Sequence, residues 1–241
     1  GGLIGLVRID ENLENGNKNQ LYPYFKNYQQ TYLTATLTEP NENEGYLRDI
    51  TDFNIAQFFR NSQDEVTYAA WYPWPKTETT GYDYSPGTES TPASVTFPIT
   101  GDSDIMYSNA VSGSMSEPFE VMQFNHALSL FRIHAYKSTN DGWGNIKSLS
   151  VNDLPDVCTI SLPKDRNTGH KIEYSNSTRN SQGQTITYPG NGGQASLEIP
   201  TGFDNNIKIT EWILAPSPSP GVSGLKMLNF TKVTQLDGKN E

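Results

Sequence analysis

The chain has 241 residues and a formal charge of −10, from 17 Lys and Arg against 27 Asp and Glu; with no basic cluster, it lacks the surface that nucleic-acid phosphates require. Apolar residues make up only 34%, yet aromatics reach 11% and charged residues only 18%, the opposite of the charge-rich, aromatic-poor composition of disordered chains. No run approaches the ~18 apolar residues of a membrane-spanning helix, and a single cysteine, Cys158, makes neither an internal disulfide nor a Cys-rich zinc site.

Strand patterns follow one another along the chain. Leu3 to Ile9 is a short apolar run with Gly5 inside it. Leu33, Ala35 and Leu37 alternate, as do Val66, Tyr68 and Ala70 on the way into Trp71-Tyr72, and then Val95, Phe97 and Ile99. Period-two spacing puts every second side chain on one face of a sheet. Further runs cover 124–135, 159–162, 172–174, 186–188, 195–199, 207–214 and 225–233. Turn residues separate them: Asn43-Glu44-Gly45, Gly190 to Gly193, and Asp237-Gly238. Many short strands with this punctuation predict an all-β chain built from sandwiches or barrels.

One short helix is expected after Thr51 or Asp52, where Phe53, Ile55, Ala56, Phe58 and Phe59 follow helical spacing toward Arg60-Asn61. Residues 72–94 hold four prolines and two glycines, and 215–221 read Ala-Pro-Ser-Pro-Ser-Pro-Gly; both stretches are expected to be loops. Ser112 to Pro118 is the candidate boundary between two domains, 1–117 and 118–241.

Within Phe124 to Tyr136, the longest strand candidate, Phe124, His126, Leu128 and Leu130 share one parity while Phe131, Ile133 and Ala135 share the other. A bulge would switch the faces, or the strand is buried on both. His126 reads as an inward, hydrogen-bonded core residue, and His170, in Thr-Gly-His-Lys, as a turn residue.

No catalytic or cofactor motif assembles. There is no Gly-x-Ser-x-Gly elbow and no His/Cys spacing for a transition metal. Asp102-Ser103-Asp104 lacks the rest of a calcium loop. Cys158, in an apolar strand start, reads as a buried thiol. Trp71, Tyr72 and Trp74 form the one aromatic cluster. Alternation sends Trp71 and Tyr72 to opposite faces, so at least one of them is expected in the core; the cluster reads as core or inter-domain packing, with a sugar-stacking platform as the alternative.

Four segments, in order, resemble the fimbrillin-like proteins (type V pilins), surface lipoproteins of Gram-negative anaerobes. They are Val66 to Trp74, ending in Tyr-Pro; Val95-Thr-Phe-Pro-Ile99; Asp102-Ser-Asp-Ile-Met-Tyr-Ser108; and Phe124-Asn-His-Ala-Leu128. The resemblance implies two tandem transthyretin-like β-sandwich domains and no enzymatic activity or cofactor. It also implies export to the outer membrane surface as a lipoprotein. Other fimbrial subunits would then be partners through β-strand addition, with a host surface or glycan as a further partner.

In that scheme Leu3, Ile4, Leu6, Val7 and Ile9 are candidates for an exchanged strand, and Arg8 for the processing site. The plain alternative is a permanent first strand of the N-terminal sheet. The sequence stops three residues beyond Asp237-Gly238 without a returning strand, which reads as a truncated, clipped or open subunit. The competing function is a carbohydrate-binding surface module, which needs several coplanar exposed aromatics.

Overall fold

The computed structural model describes residues 2–10, 33–40, 43, 48–54, 59, 65–75, 80–86, 91–131, 134–136, 146–163, 169–176, 184–188, 201–202, 207–208, 213–216 and 229–235. Among these the chain is all-β, with no α-helix. It divides into two compact units. Unit 1 comprises Gly1–Pro98, Asp104–Ala127 and Thr159–Glu173, and unit 2 comprises Ile99–Ser103, Leu128–Cys158 and Tyr174–Glu241.

The apolar N-terminal run forms β1 (Leu3–Asp10), the expected strand. It lies between β2 (Leu33–Leu37) and β4 (Val66–Tyr72), antiparallel to both. The two-residue β3 (Ile50–Thr51) pairs with β2. On the far side of β4 come β7 (Met106–Ser108) and β8 (Val111–Gly113), and β9 (Phe124–His126) pairs with β7. The resulting seven-stranded sheet runs β3-β2-β1-β4-β7-β9, with β8 beside β4. A four-stranded sheet runs β14 (Lys171–Ser175), β13 (Val157–Ser161), β6 (Ser94–Pro98) and β5 (Asp83–Ser85).

Alternation explains which residues go where. Ile4, Leu6, Leu33, Ala35 and Ala70 form a buried cluster on one face of the large sheet, with Leu37, Ile50, Phe53, Tyr68 and Phe124 packed against it. On the other face Trp71 is wholly buried. Its ring stacks on Tyr84 of β5 at 5.7 Å, and its Nε1 donates to the Tyr82 hydroxyl at 2.9 Å. Tyr82 meets Phe97 of β6 edge-on at 5.4 Å. Both faces of β1 and β4 are therefore covered, which is why β4 has Val66, Thr67, Ala69, Ala70 and Trp71 all buried.

In unit 2, β10 (Leu128–Phe131) pairs with β17 (Ile213–Pro216), and β11 (His134–Ala135) with β16 (Ile207–Lys208). A three-stranded sheet runs β15 (Gln184–Tyr188), β12 (Ile146–Leu154) and β18 (Asn229–Gln235), with register shifts along β12 against both neighbours.

Several expectations change. The stretch 124–136 is three strands, not one. The chain bends at Ala127 and changes partners, from β7 to β17, so parity does not carry across it. The Pro- and Gly-rich stretch 72–94 holds a strand, β5, which the pairing of Tyr84 with Val95 secures. Thr51 belongs to β3, and Asp52 takes a left-handed φ of 52°, a turn conformation that Asp tolerates. Residues 55–58 and 60–61 of the expected helix, the run 195–199 and the Asp237-Gly238 turn lie outside the described residues.

One contact gives a direct test of this packing. A Cβ on Gly5 would fall 2.2 Å from the Trp71 ring, whereas one on Gly169 meets nothing within 4 Å. Gly5→Ala is expected to lower unfolding stability by about 1–3 kcal/mol or more in urea titration. Gly169→Ala should stay within ~0.5 kcal/mol of the parent.

Candidate functional site

The strand candidate Leu3 to Ile9 sits in the interior of a sheet. Ile4, Leu6 and Val7 are buried, Leu3 is half-buried, and Ile9 pairs through its backbone with Thr67. Arg8 lies opposite Tyr68 and is only 5% exposed. The strand's start is tied further by Leu37 N–H donating to Gly2 O and Trp74 N–H donating to Leu3 O, both at 2.9 Å.

On the face of the large sheet away from Trp71 lies a cavity of 670 Å³. Its floor comes from Leu6 and Arg8 of β1, Leu37 of β2, Ile50 of β3, Val66 and Tyr68 of β4 and Val111 of β8. A covering strap, residues 114–123, closes part of it from above through Phe119 and Met122, together with Phe53 and Phe59. The strap is pinned at both ends. Ser114 N–H donates to Glu117 O at 2.8 Å and the Glu117 N–H to Ser114 Oγ at 3.1 Å. Gln123 N–H donates to Asn109 Oδ1 at 2.6 Å, and Asn109 N–H returns to Gln123 O at 3.1 Å.

Phe119 packs on Tyr68 at 5.4 Å and on Phe59 at 6.2 Å. It fits because Gly113 beneath it has no side chain; a Cβ there would lie 2.8 Å from the ring. Phe53 is held over the sheet by Asn54, whose N–H donates to Thr34 O at 3.0 Å while its Oδ1 accepts from Thr34 N–H at 2.9 Å.

Trp71, Tyr72 and Trp74 are placed differently from one another. Trp71 is wholly buried, while Tyr72 and Trp74 are half-buried. Trp74 lies 6.2 Å from Trp71 and meets Tyr82 edge-on at 5.4 Å. The Tyr72-Pro73 bond is cis. Sequence reasoning missed the cavity. Its signal was Phe119, Val121 and Met122, crowded just after the Ser/Gly stretch that reads as a domain boundary.

One histidine differs from expectation. His126 is not a core residue: its side chain is 66% exposed and its Nδ1 lies 2.6 Å from Asp104 Oδ2. The reason is that β9 is a three-residue edge strand, and its last side chain projects beyond the packed part of the sheet. His170, just before β14, is half-buried, with the Tyr107 ring 4.9 Å away. Its Nε2 is buried with no hydrogen bond among the described residues, and burial lowers its pKa to about 4. Cys158 is wholly buried, and desolvation pushes its thiol up to about 12. Among the described residues no three metal-ligating side chains cluster, and no helix is long and apolar enough to cross a membrane.

The architecture is that of an all-β sandwich protein with an apolar cavity on one sheet face. The family model described as fimbrillin-like matches residues 7–226, so the chain belongs to the fimbrillin-like family. The chain is also similar to a crystal structure of a Bacteroides ovatus protein named for a suspected role in cell adhesion. That likeness has 14% identity and a TM-score of 0.37, over 86% of this chain and 67% of the other. No curated protein matches.

His170 makes stability depend on pH in one direction. Its folded pKa, about 4, lies below the ordinary value of 6.5. Between those values the unfolded chain takes up a proton that the folded chain excludes, so stability falls as pH falls through that window and is unaffected above it. The urea midpoint of the parent should therefore drop more between pH 7 and pH 5 than that of His170→Gln. Equal drops would show that His170 is not buried as a neutral ring.

Proposed function

We propose that the chain is a non-enzymatic subunit, tip or anchor adhesin of a surface fibre, exported as a lipoprotein and joined to its neighbours by β-strand addition. Two tandem transthyretin-like sandwiches, divided near residues 117 and 118, are the modules of this reading. Family membership supports the fibre role. The observation that carries the assembly mode is the position of β1: an N-terminal strand, antiparallel to both neighbours, in the interior of the sheet.

Removing such a strand leaves two unpaired ladders side by side, from β2 and β4, and empties the places of Ile4, Leu6 and Val7. A strand from another subunit with the same alternation regains the main-chain bonds and refills those places. Leu3, Ile4, Leu6, Val7 and Ile9 are the residues this exchange would replace. Processing at Arg8 requires β1 to be outside the sheet, because the folded strand keeps that residue at 5% exposure. Trp71 is committed to the core through Tyr82 and Tyr84, which favours assembly over a sugar-stacking role for the aromatic cluster.

The test is a chain lacking residues 1–9, mixed with a labelled peptide that copies residues 2–10. Capture of the peptide is expected, and Leu6→Asp in the peptide should weaken it by about tenfold or more, since a charge would enter a fully buried place. No capture, or equal capture of both peptides, would overturn strand addition at this slot. On the same reading, a trypsin-like protease should yield ladders that survive SDS only under conditions that release β1 from the sheet.

A further inference from the structure

We propose that β14 is a self-pairing edge, at which two copies of this chain join antiparallel through Lys171, Ile172 and Glu173, about a two-fold axis at Ile172. β14 ends the four-stranded sheet, and among the described residues it pairs with β13 alone. An open ladder of this kind is a template for another strand. It has five residues, against two and three in the strands that end the large sheet. Burial alternates along it: Lys171 and Glu173 are exposed on one face, and Ile172 is half-buried on the other.

Charge complementarity points to a second copy as the occupant. In a pair centred on Ile172, Lys171 of each copy stands opposite Glu173 of the other. Symmetry makes two such opposite-charge pairs, as a contact of one patch with itself requires. Within one chain Lys171 Nζ already lies 2.9 Å from Glu173 Oε1, with the side chains 71% and 56% exposed. Pairing therefore gathers two weak surface ion pairs into one four-charge network. On the opposite face the two Ile172 side chains become neighbours and continue the half-buried side of the sheet.

The same charges select the register. Only shifts by an even number of residues keep the half-buried faces on one side of the joined sheet. A pair centred on Lys171 sets two ammonium groups opposite each other, and one centred on Glu173 sets two carboxylates opposite each other; both are unfavourable. β5, at the other end of the same sheet, reads Asp83-Tyr84-Ser85, an acid with no base to meet it. The contact at β14 is separate from strand addition at the place of β1, because it needs no processing and moves no strand of the chain. A five-residue edge buries less than the ~1,200 Å² of a standard interface, so the dimer is expected at about 100 µM and above.

The test is sedimentation equilibrium of the full, unprocessed chain across that concentration range. Lys171→Glu makes both outer positions acidic, and Glu173→Lys makes both basic. Each variant alone should dimerise about tenfold or more weakly than the parent, since like charges then stand opposite each other twice. Net charge predicts otherwise for one of them: from −10, Glu173→Lys lowers the repulsion between copies, yet it should weaken the dimer. An equimolar mixture of the two variants should regain the parent's dimer, because the acidic strand of one meets the basic strand of the other. The double variant, Lys171→Glu with Glu173→Lys, should dimerise as the parent does, and its circular dichroism checks that the substitutions leave the fold intact. A parent that stays monomeric, single variants that dimerise as well as the parent, or a mixture no better than its folded components would each overturn the proposal.

Discussion

Gly5 and Trp71 stand opposite each other in the β1–β4 ladder, and the indole fills the space where any other residue at position 5 would carry its side chain. Much of unit 1 depends on this close approach. Because the ring lies flat over β1, it reaches Tyr84, Tyr82 and Trp74 and joins the seven-stranded sheet to the four-stranded one. Register follows from the same contact. A slip of one residue would bring Ile4 or Leu6 under the indole and turn every side chain of β1 to the opposite face.

The two faces of the large sheet are covered in different ways. Toward Trp71 a second sheet supplies the cover, and aromatic rings fill the space between. Toward Leu6 the cover is a strap of irregular chain, held at its ends by Ser114 and Asn109 and in its middle by Phe119 resting on Gly113. A strap cannot match a sheet for continuous packing, because its side chains do not alternate regularly. The cavity is what remains between the strap and the floor. Arg8, a buried charge among the described lining residues, continues the alternation of Ile4 and Leu6, so the pleat places it on the cavity face.

The sequence shows the strands that carry strong alternation and misses those that do not. Leu33, Ala35 and Leu37, and Val95, Phe97 and Ile99, are legible because the large side chains sit at every second position. β12, nine residues long, was not expected: Ile-Lys-Ser-Leu-Ser-Val-Asn-Asp-Leu mixes polar and apolar residues, and register shifts interrupt its pairing on both sides. β3, β7 and β8 span only two or three residues, too few for a period to show. His126 was misplaced because parity assumes one continuous strand, whereas the chain leaves its first partner at Ala127. The cavity was illegible for a related reason. Its wall is assembled from Phe53 and Phe59 and from Phe119 and Met122, two segments distant in sequence whose residues belong to no strand.

The sheet edges bear on where another strand could join. Among the described residues, the seven-stranded sheet ends in β3, with two residues, and in β9, with three, while the three-residue β8 pairs with β4 alone. Short edges offer few backbone groups to an incoming chain, and the exposed His126–Asp104 pair adds polar side chains at the end of β9. Addition at these edges would gain a handful of bonds and bury little apolar surface. The place of β1 is different, because a strand there gains two ladders at once and buries side chains on both faces of the sheet. In physical terms, the fold discourages casual pairing at its margins and concentrates the favourable free energy of strand pairing at an interior site. Access to that site then depends on β1 leaving it, which sets the order of events on the proposed reading: departure of the first strand comes before arrival of the next subunit's.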